Sequence, residues 1–246
     1  MWYHNLLLEI ALELNIILYI SVSLFVQLLA AISGNFYLKK EKQPKKWNKY
    51  FVRFLWLTFF VEFLGLYAAV GYYSDYNYLS CIKDTPFADN SWLFNLFLIF
   101  NFAFLAAYFS SFIENEIIQK VIAWLIILYV LISSGYLIYT DVFFKYFSRV
   151  SVFLGSVLLI ISILLFYYQI LKSEKLLKLK GYLPFYLSIG CGIFYLCTTP
   201  LFLYTNFLSI EDVVFLQFYQ YVLFIANIFM YLFYALSFVV CSRKAK

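Results

Sequence analysis

Along the chain, long uninterrupted apolar runs alternate with short stretches where charged and turn-forming residues collect. A membrane-crossing helix needs about 20 mostly apolar residues, and seven runs meet that length: Leu12–Leu38, Tyr50–Tyr73, Ser91–Phe112, Lys120–Thr140, Val150–Leu171, Pro184–Tyr204 and Val213–Cys241. The breaks read KKEKQPKKWNK, SDYNYLSCIKDTPFADN, IENEI, DVFFKYFSR, KSEKLLKLKGYL and NFLSIED. The runs show no alternation of period two, which a spanning barrel would require. Helices are the other structure that leaves no backbone group unpaired in lipid. The pattern therefore predicts an all-α, polytopic bundle of seven transmembrane helices, forming a single domain over residues 1–246.

Composition removes the soluble alternatives. Apolar residues make up 65% of the 246 and charged residues 13%, against about 45–50% and about 25% in soluble domains. Mean hydropathy is +0.86. The excess is spread over the whole chain, so a soluble domain with one anchor does not fit.

Charge sets the expected direction. Assigning the loops alternately puts Lys39, Lys40, Lys42, Lys45, Lys46, Lys49, Arg53, Lys120, Lys172, Lys175, Lys178, Lys180, Arg243, Lys244 and Lys246 on one side. Lys83, Lys145 and Arg149 fall on the other. Basic residues mark cytoplasmic loops, which predicts the N-terminus out and the C-terminus in, with the cell inner membrane as location. No basic residue precedes Lys39, so a secretory signal with a positive leading region is not read. The net charge of +5 is explained by topology and by anionic lipid headgroups. Membrane lipids are the expected surroundings, and nucleic acid is not an expected partner.

Catalytic chemistry finds little to work with. The chain has one histidine, His4, and four cysteines, Cys81, Cys191, Cys197 and Cys241. Zinc needs three or four ligands, so neither a metal nor another cofactor is expected. Phosphate-loop and H-E-x-x-H patterns are absent, and Val213–Cys241 contains no lysine for a Schiff base. An enzyme is not expected.

One residue breaks the apolar pattern. Glu62 lies in FFVEFLGLY, about 18 Å along the second span from Tyr50 at 1.5 Å per residue. A charge at that depth costs about 3 kcal/mol on insertion scales, and no Lys or Arg lies mid-span to pair with it. Three arrangements remain open: a protonated group hydrogen-bonded to a neutral partner, a carboxylate facing water, or one awaiting a cationic ligand or ion. Thr58, Glu62, Gly65 and Ala69 share a stripe whose small residues allow a neighbouring helix to approach, which turns Glu62 toward the bundle interior.

Other spans add polar stripes. The seventh carries Gln217, Gln220, Phe224, Asn227, Tyr231 and Tyr234 within an arc of roughly 100°. The sixth carries Ser188, Cys191, Gly192, Tyr195 and Thr199, and the third Asn95, Asn101 and Tyr108, with Asn95 and Asn101 on different faces. Amides facing lipid would be unsatisfied, so these stripes point inward, as interhelical glue or as the lining of a polar cavity. The candidate ligand-binding set is Glu62, Thr58, Asn95, Asn101, Tyr195, Thr199, Gln220, Asn227 and Tyr231. Pro200 in CTTPLF leaves the Leu196 carbonyl without its usual donor and predicts a kink, with Thr198 or Thr199 in position to satisfy it.

VEFLGLY, NSWLFNLFLIFNF and PFYLSIGCGIFYLCTTP resemble segments of the small seven-span integral membrane proteins common in the Bacteroidota. That family often has an acidic residue where this chain has Asn101, so a carboxylate pair between the second and third spans is not carried over. The resemblance implies an integral membrane protein with a sensory or accessory role.

The expected function is a receptor-like or accessory module that binds a small or lipid-like ligand, or a membrane partner, within the bundle. Its loops are short and no output domain is attached, so it would signal through a separate membrane or cytoplasmic protein. The alternative is a secondary transporter with Glu62 as the proton- or cation-coupling group, against which stands the lack of a matching carboxylate in the second half.

Overall fold

The computed structural model describes the backbone of residues 2–173, 179, 181–204 and 213–244, and the side chains of 18–173, 179, 181–204 and 218–243. Among the described residues there are eight α-helices: α1 (Trp2–Lys40), α2 (Lys46–Tyr73), α3 (Ser91–Ser110), α4 (Glu116–Tyr139), the one-turn α5 (Val142–Lys145), α6 (Arg149–Leu171), α7 (Leu183–Tyr204) and α8 (Val213–Lys244). Seven of them are long and apolar enough to cross a membrane among the described residues. The protein is a multi-pass membrane protein.

The apolar runs locate the helices, and local caps fix where they start and stop. Asn115 accepts from the Ile117 and Ile118 amides at 2.9 and 3.2 Å, starting α4 four residues before the predicted Lys120. Ser148 caps α6 in the same way, accepting from the Ser151 amide. At the end of α2, Asp75 and Tyr76 take positive φ values of 47° and 59°, and the Tyr76 amide turns back to the Gly71 carbonyl at 2.8 Å. Two features differ from the sequence expectation. α1 begins at Trp2, ten residues before Leu12, because LLLEIALEL contains good helix formers with neither Gly nor Pro. The fourth break holds α5, whose four residues are too short to carry a periodic signal.

Apart from α4, the spans close a ring in chain order. α1 packs on α2, α2 on α3, α3 on α6, α6 on α7, α7 on α8 and α8 back on α1. α4 lies outside this ring against α3 and α6, and most of its apolar side chains face outward. Gly155 lets α6 come close to α3, since a Cβ there would overlap the fully buried Phe102 ring and come within 2.8 Å of the Tyr129 hydroxyl.

Alternating direction brings the ends of α1, α3, α6 and α8 to one end of the bundle with the starts of α2, α4 and α7. Among the described residues, Lys39, Lys40, Lys45, Lys46, Lys49, Lys120, Lys172 and Arg243 belong to these helix ends, which makes this the basic end. There the Lys45 ammonium sits 5.4 Å from the ring centres of both Phe112 and Tyr182, joining the α1–α2, α3–α4 and α6–α7 connections. Beneath it, buried Asn48 donates to the Tyr37 hydroxyl and accepts from the Tyr108 hydroxyl, both at 3.1 Å. One amide thus ties α1, α2 and α3 together. At the opposite end, Tyr67 donates to the Asp89 carbonyl at 2.7 Å and accepts from the Trp92 indole at 2.9 Å, fixing the end of α2 against the start of α3.

Candidate functional site

Glu62 lies midway along α2, and its half-buried side chain lines two adjoining cavities. The larger, about 390 Å³, is bounded by α1, α2, the start of α3 and α8. The smaller, about 190 Å³, lies among α2, α3, α7 and α8. Asn227 of α8 and Phe94 of α3 also border both. Gly65, one turn from Glu62, is covered by α3: its carbonyl accepts from Asn90 at 2.9 Å, and a Cβ there would lie 2.7 Å from the Phe94 ring. The small residue admits α3 as the stripe predicts, while Ala69 opens onto the larger cavity.

The carboxylate is polar chemistry without a protein partner. Among the described residues, no ion pair or hydrogen bond engages Glu62; the ion pairs present are Lys120–Glu116 and Lys145–Asp141, both exposed. Two further acceptors in the walls of the larger cavity share this condition. Gln27 is 2% exposed, and its Oε1 is buried with no hydrogen bond. The Asn227 Oδ1 is likewise buried and unpaired. Buried polar atoms ordinarily find partners, so these two amide oxygens, in residues that wall the same cavity, are exceptions. Next to them, Tyr19 of α1 stacks on Phe224 of α8 with ring centres 4.4 Å apart, and both line the same space.

The structure gathers most, but not all, of the residues that the sequence singles out. Thr58, Asn101, Tyr195 and Tyr231 line the smaller cavity with Glu62. Three of them are already engaged: Asn101 donates to the Tyr195 hydroxyl at 2.6 Å, and Thr58 donates to the Phe54 carbonyl one turn back. Gln220 is exposed at the rim of the larger cavity. Gln217 lies outside the residues with described side chains. Asn95 does not join this group. It is fully buried near the start of α3, where it donates to the Phe143 and Tyr146 carbonyls at 3.0 and 2.8 Å and accepts from the Ser148 amide at 2.8 Å. Its amide is spent on holding α5 and the start of α6.

Thr199 borders neither cavity, and its Oγ1 is buried without a partner. Neither threonine makes the expected rescue of the Leu196 carbonyl beside Pro200, since Thr198 donates to the Phe194 carbonyl at 2.9 Å instead. Bonding one turn back keeps the hydroxyl within its own helix, a common solution for Thr in a membrane span.

Sequence reasoning missed the contribution of α1. Tyr19, Ser23 and Gln27 all line the larger cavity and recur every fourth residue, so they share one helix face. That spacing was the available signal. Among the described residues, no cluster of three metal-ligating side chains forms. The chain matches no protein-family model, no curated protein and no solved structure.

Proposed function

We propose that this bundle is a receptor-like or accessory protein of the inner membrane, oriented with its N-terminus out, that binds a small ligand in the cavity pair around Glu62. The observation that carries this reading is a mid-span carboxylate that lines two adjoining cavities and has no ion pair or hydrogen bond among the described residues. Interhelical glue uses polar atoms in pairs, as at Asn48, whereas Glu62 borders a space. At about 390 Å³ that space falls within the range of small-molecule sites, about 300–1,000 Å³. Bound ligand would be reported through the basic end to a separate membrane or cytoplasmic protein.

Thermal unfolding in lipid nanodiscs against a panel of small amines, alcohols and carboxylic acids tests the site. Stabilisation by at least one probe, lost in both Glu62→Gln and the cavity-filling Ala69→Phe, is the expected result. A panel that stabilises wild type and both variants equally would place binding elsewhere.

A second reading is supported by the meeting of two cavities at Glu62 and Asn227. Such a boundary suits a transporter in which one carboxylate is exposed alternately to two spaces. Uptake of a stabilising probe into proteoliposomes, driven by an imposed proton gradient and abolished in Glu62→Gln, would select transport over reception.

A further inference from the structure

We infer that the outward face of α2 at the basic end binds one anionic phospholipid. Lys46, Lys49 and Arg53 hold its phosphate, and its acyl chains lie along the apolar stripe that follows. The site is separate from the Glu62 cavities and does not depend on what they bind. Lys46, Lys49, Arg53, Leu57, Phe60 and Leu64 recur every three or four residues, so they share one face of the helix, and all six are exposed. Phe51, Leu55 and Thr58, on the opposite face, are buried in the bundle. The outward face thus presents three cations and then an apolar surface, the order in which a phospholipid presents its headgroup and chains.

Depth makes the phosphate necessary. α2 has 28 residues, about 42 Å of helix at 1.5 Å per residue, against a hydrocarbon layer of about 30 Å. Centred in that layer, the helix projects about 6 Å at each end, and Arg53 lies about 10 Å from its start. Its backbone is therefore just inside the hydrocarbon, and its guanidinium reaches back to the phosphate level, as long basic side chains in lipid do. Among the described residues, no ion pair involves Lys46, Lys49 or Arg53. Elsewhere at this end Lys120 pairs with Glu116 at 3.8 Å, and Lys45 lies over Phe112 and Tyr182. Lys46 and Arg53 instead flank the Tyr50 ring, at 5.6 and 6.0 Å from its centre, and a ring of this kind draws both cations to one place. Gly34 of α1 meets α2 at Val52, where a Cβ would lie 2.8 Å from a Val52 methyl. In this antiparallel pair the exposed Lys39 of α1 falls at the level of Trp47 and adds positive charge there. Charge also decides the lipid class. These groups attract a phosphodiester, and arginine can hold two of its oxygens together. A zwitterionic headgroup brings an ammonium that they repel. A soluble acidic segment would match the charges and leave Leu57, Phe60 and Leu64 unused.

The test titrates the full chain in detergent with phosphatidylglycerol and, separately, with phosphatidylcholine, and counts bound lipids by native mass spectrometry. One phosphatidylglycerol should bind about tenfold or more tightly than phosphatidylcholine. Each basic group removed should weaken it roughly fivefold, so Arg53→Gln costs about fivefold and Lys46→Gln with Lys49→Gln about 25-fold. Lys120→Gln removes the same charge from the same end of the bundle and should change the affinity by less than about twofold. Size-exclusion profiles and melting points confirm that these surface variants are folded. Equal binding of the two lipids overturns the site, as does phosphatidylglycerol binding that survives removal of all three charges. An equal loss in Lys120→Gln also overturns it, because the effect would then belong to the general field of the basic end. Displacement of the lipid by inorganic phosphate at equal concentration would show that the acyl chains contribute nothing. Displacement by a glutamate-rich peptide would assign the face to an acidic protein. Either result overturns the lipid assignment.

Discussion

Near the lysine-poor end of the bundle, the Asn95 amide donates to two carbonyls at 3.0 and 2.8 Å and accepts from a third backbone group at 2.8 Å. Midway along α8, the same kind of side chain at Asn227 keeps its oxygen buried and unpaired, in a wall shared with Gln27 and Glu62. Both amides turn away from lipid, and composition alone would class them together. The difference lies in what each faces. Asn95 meets the irregular backbone of the α5–α6 connection, where helix ends leave carbonyls and amides in need of partners. Asn227 meets a space bounded by regular helices whose backbone groups are already paired internally. A bundle of this kind therefore holds buried amides in two states, one fully paired and one with its oxygen unpaired.

The sharpest way to break the comparison is Asn95→Leu. It removes three close hydrogen bonds and strands the Phe143 and Tyr146 carbonyls and the Ser148 amide. Interhelical hydrogen bonds in membranes average about 0.6 kcal/mol, and the stranded groups add to this, so a loss of roughly 2–3 kcal/mol is expected in reversible unfolding in mixed SDS micelles. A change below about 0.5 kcal/mol would mean that the connection finds other partners and that Asn95 is not a structural lock. Asn48→Leu is the next test. It releases Tyr37 and Tyr108, two bonds rather than three, and the two hydroxyls can rotate to new acceptors. A loss of roughly 1–2 kcal/mol is expected.

The number of spans and their approximate limits are readable in the sequence because each apolar run is long and each break is charged. α5 and the N-terminal extension of α1 are not, since one is a single turn and the other lies outside the most hydrophobic window. Glu62 is legible because it is one acid among apolar neighbours with no base at its depth. The sorting of its companions is not. Helical periodicity tells that Asn95, Asn101 and Asn227 turn inward, but whether they meet a carbonyl, a tyrosine or a cavity depends on the neighbouring helix. Gln27 is hard to read for the opposite reason: the polar pattern of α1 is sparse, and its four-residue spacing gains meaning only from the α8 face beside it.

On the other side of the comparison, Gln27→Leu and Asn227→Leu should leave the unliganded protein unchanged or stabilise it by about 1 kcal/mol, because each replaces an unsatisfied buried acceptor with an apolar group of similar shape. The same unfolding assay reads this directly. A loss of 2 kcal/mol or more, about the size expected for Asn95, would show that these amides hold the bundle together and would erase the contrast between the two regions.

The smallest expected effect belongs to Tyr182, at the basic end. Its hydroxyl is buried without a hydrogen bond, although its ring stacks on Phe166 and meets Phe112 edge-on, both at 6.2 Å. Tyr182→Phe keeps the ring and removes the stranded hydroxyl, so neutral-pH stability should change by less than about 1 kcal/mol. The difference emerges in alkali. Burial, with a smaller contribution from the Glu114 charge, pushes the Tyr182 phenol up to about 12, whereas in the unfolded chain it ionises near about 10. Between these values the unfolded state releases the proton and the folded state keeps it, so stability falls as pH rises through that window. Tyr182→Phe should flatten the decline between about pH 10 and 12 while leaving the curve below it in place. An unchanged alkaline slope would mean that the hydroxyl reaches water or an acceptor in the folded protein, and it would move Tyr182 from the unsatisfied groups to the satisfied ones.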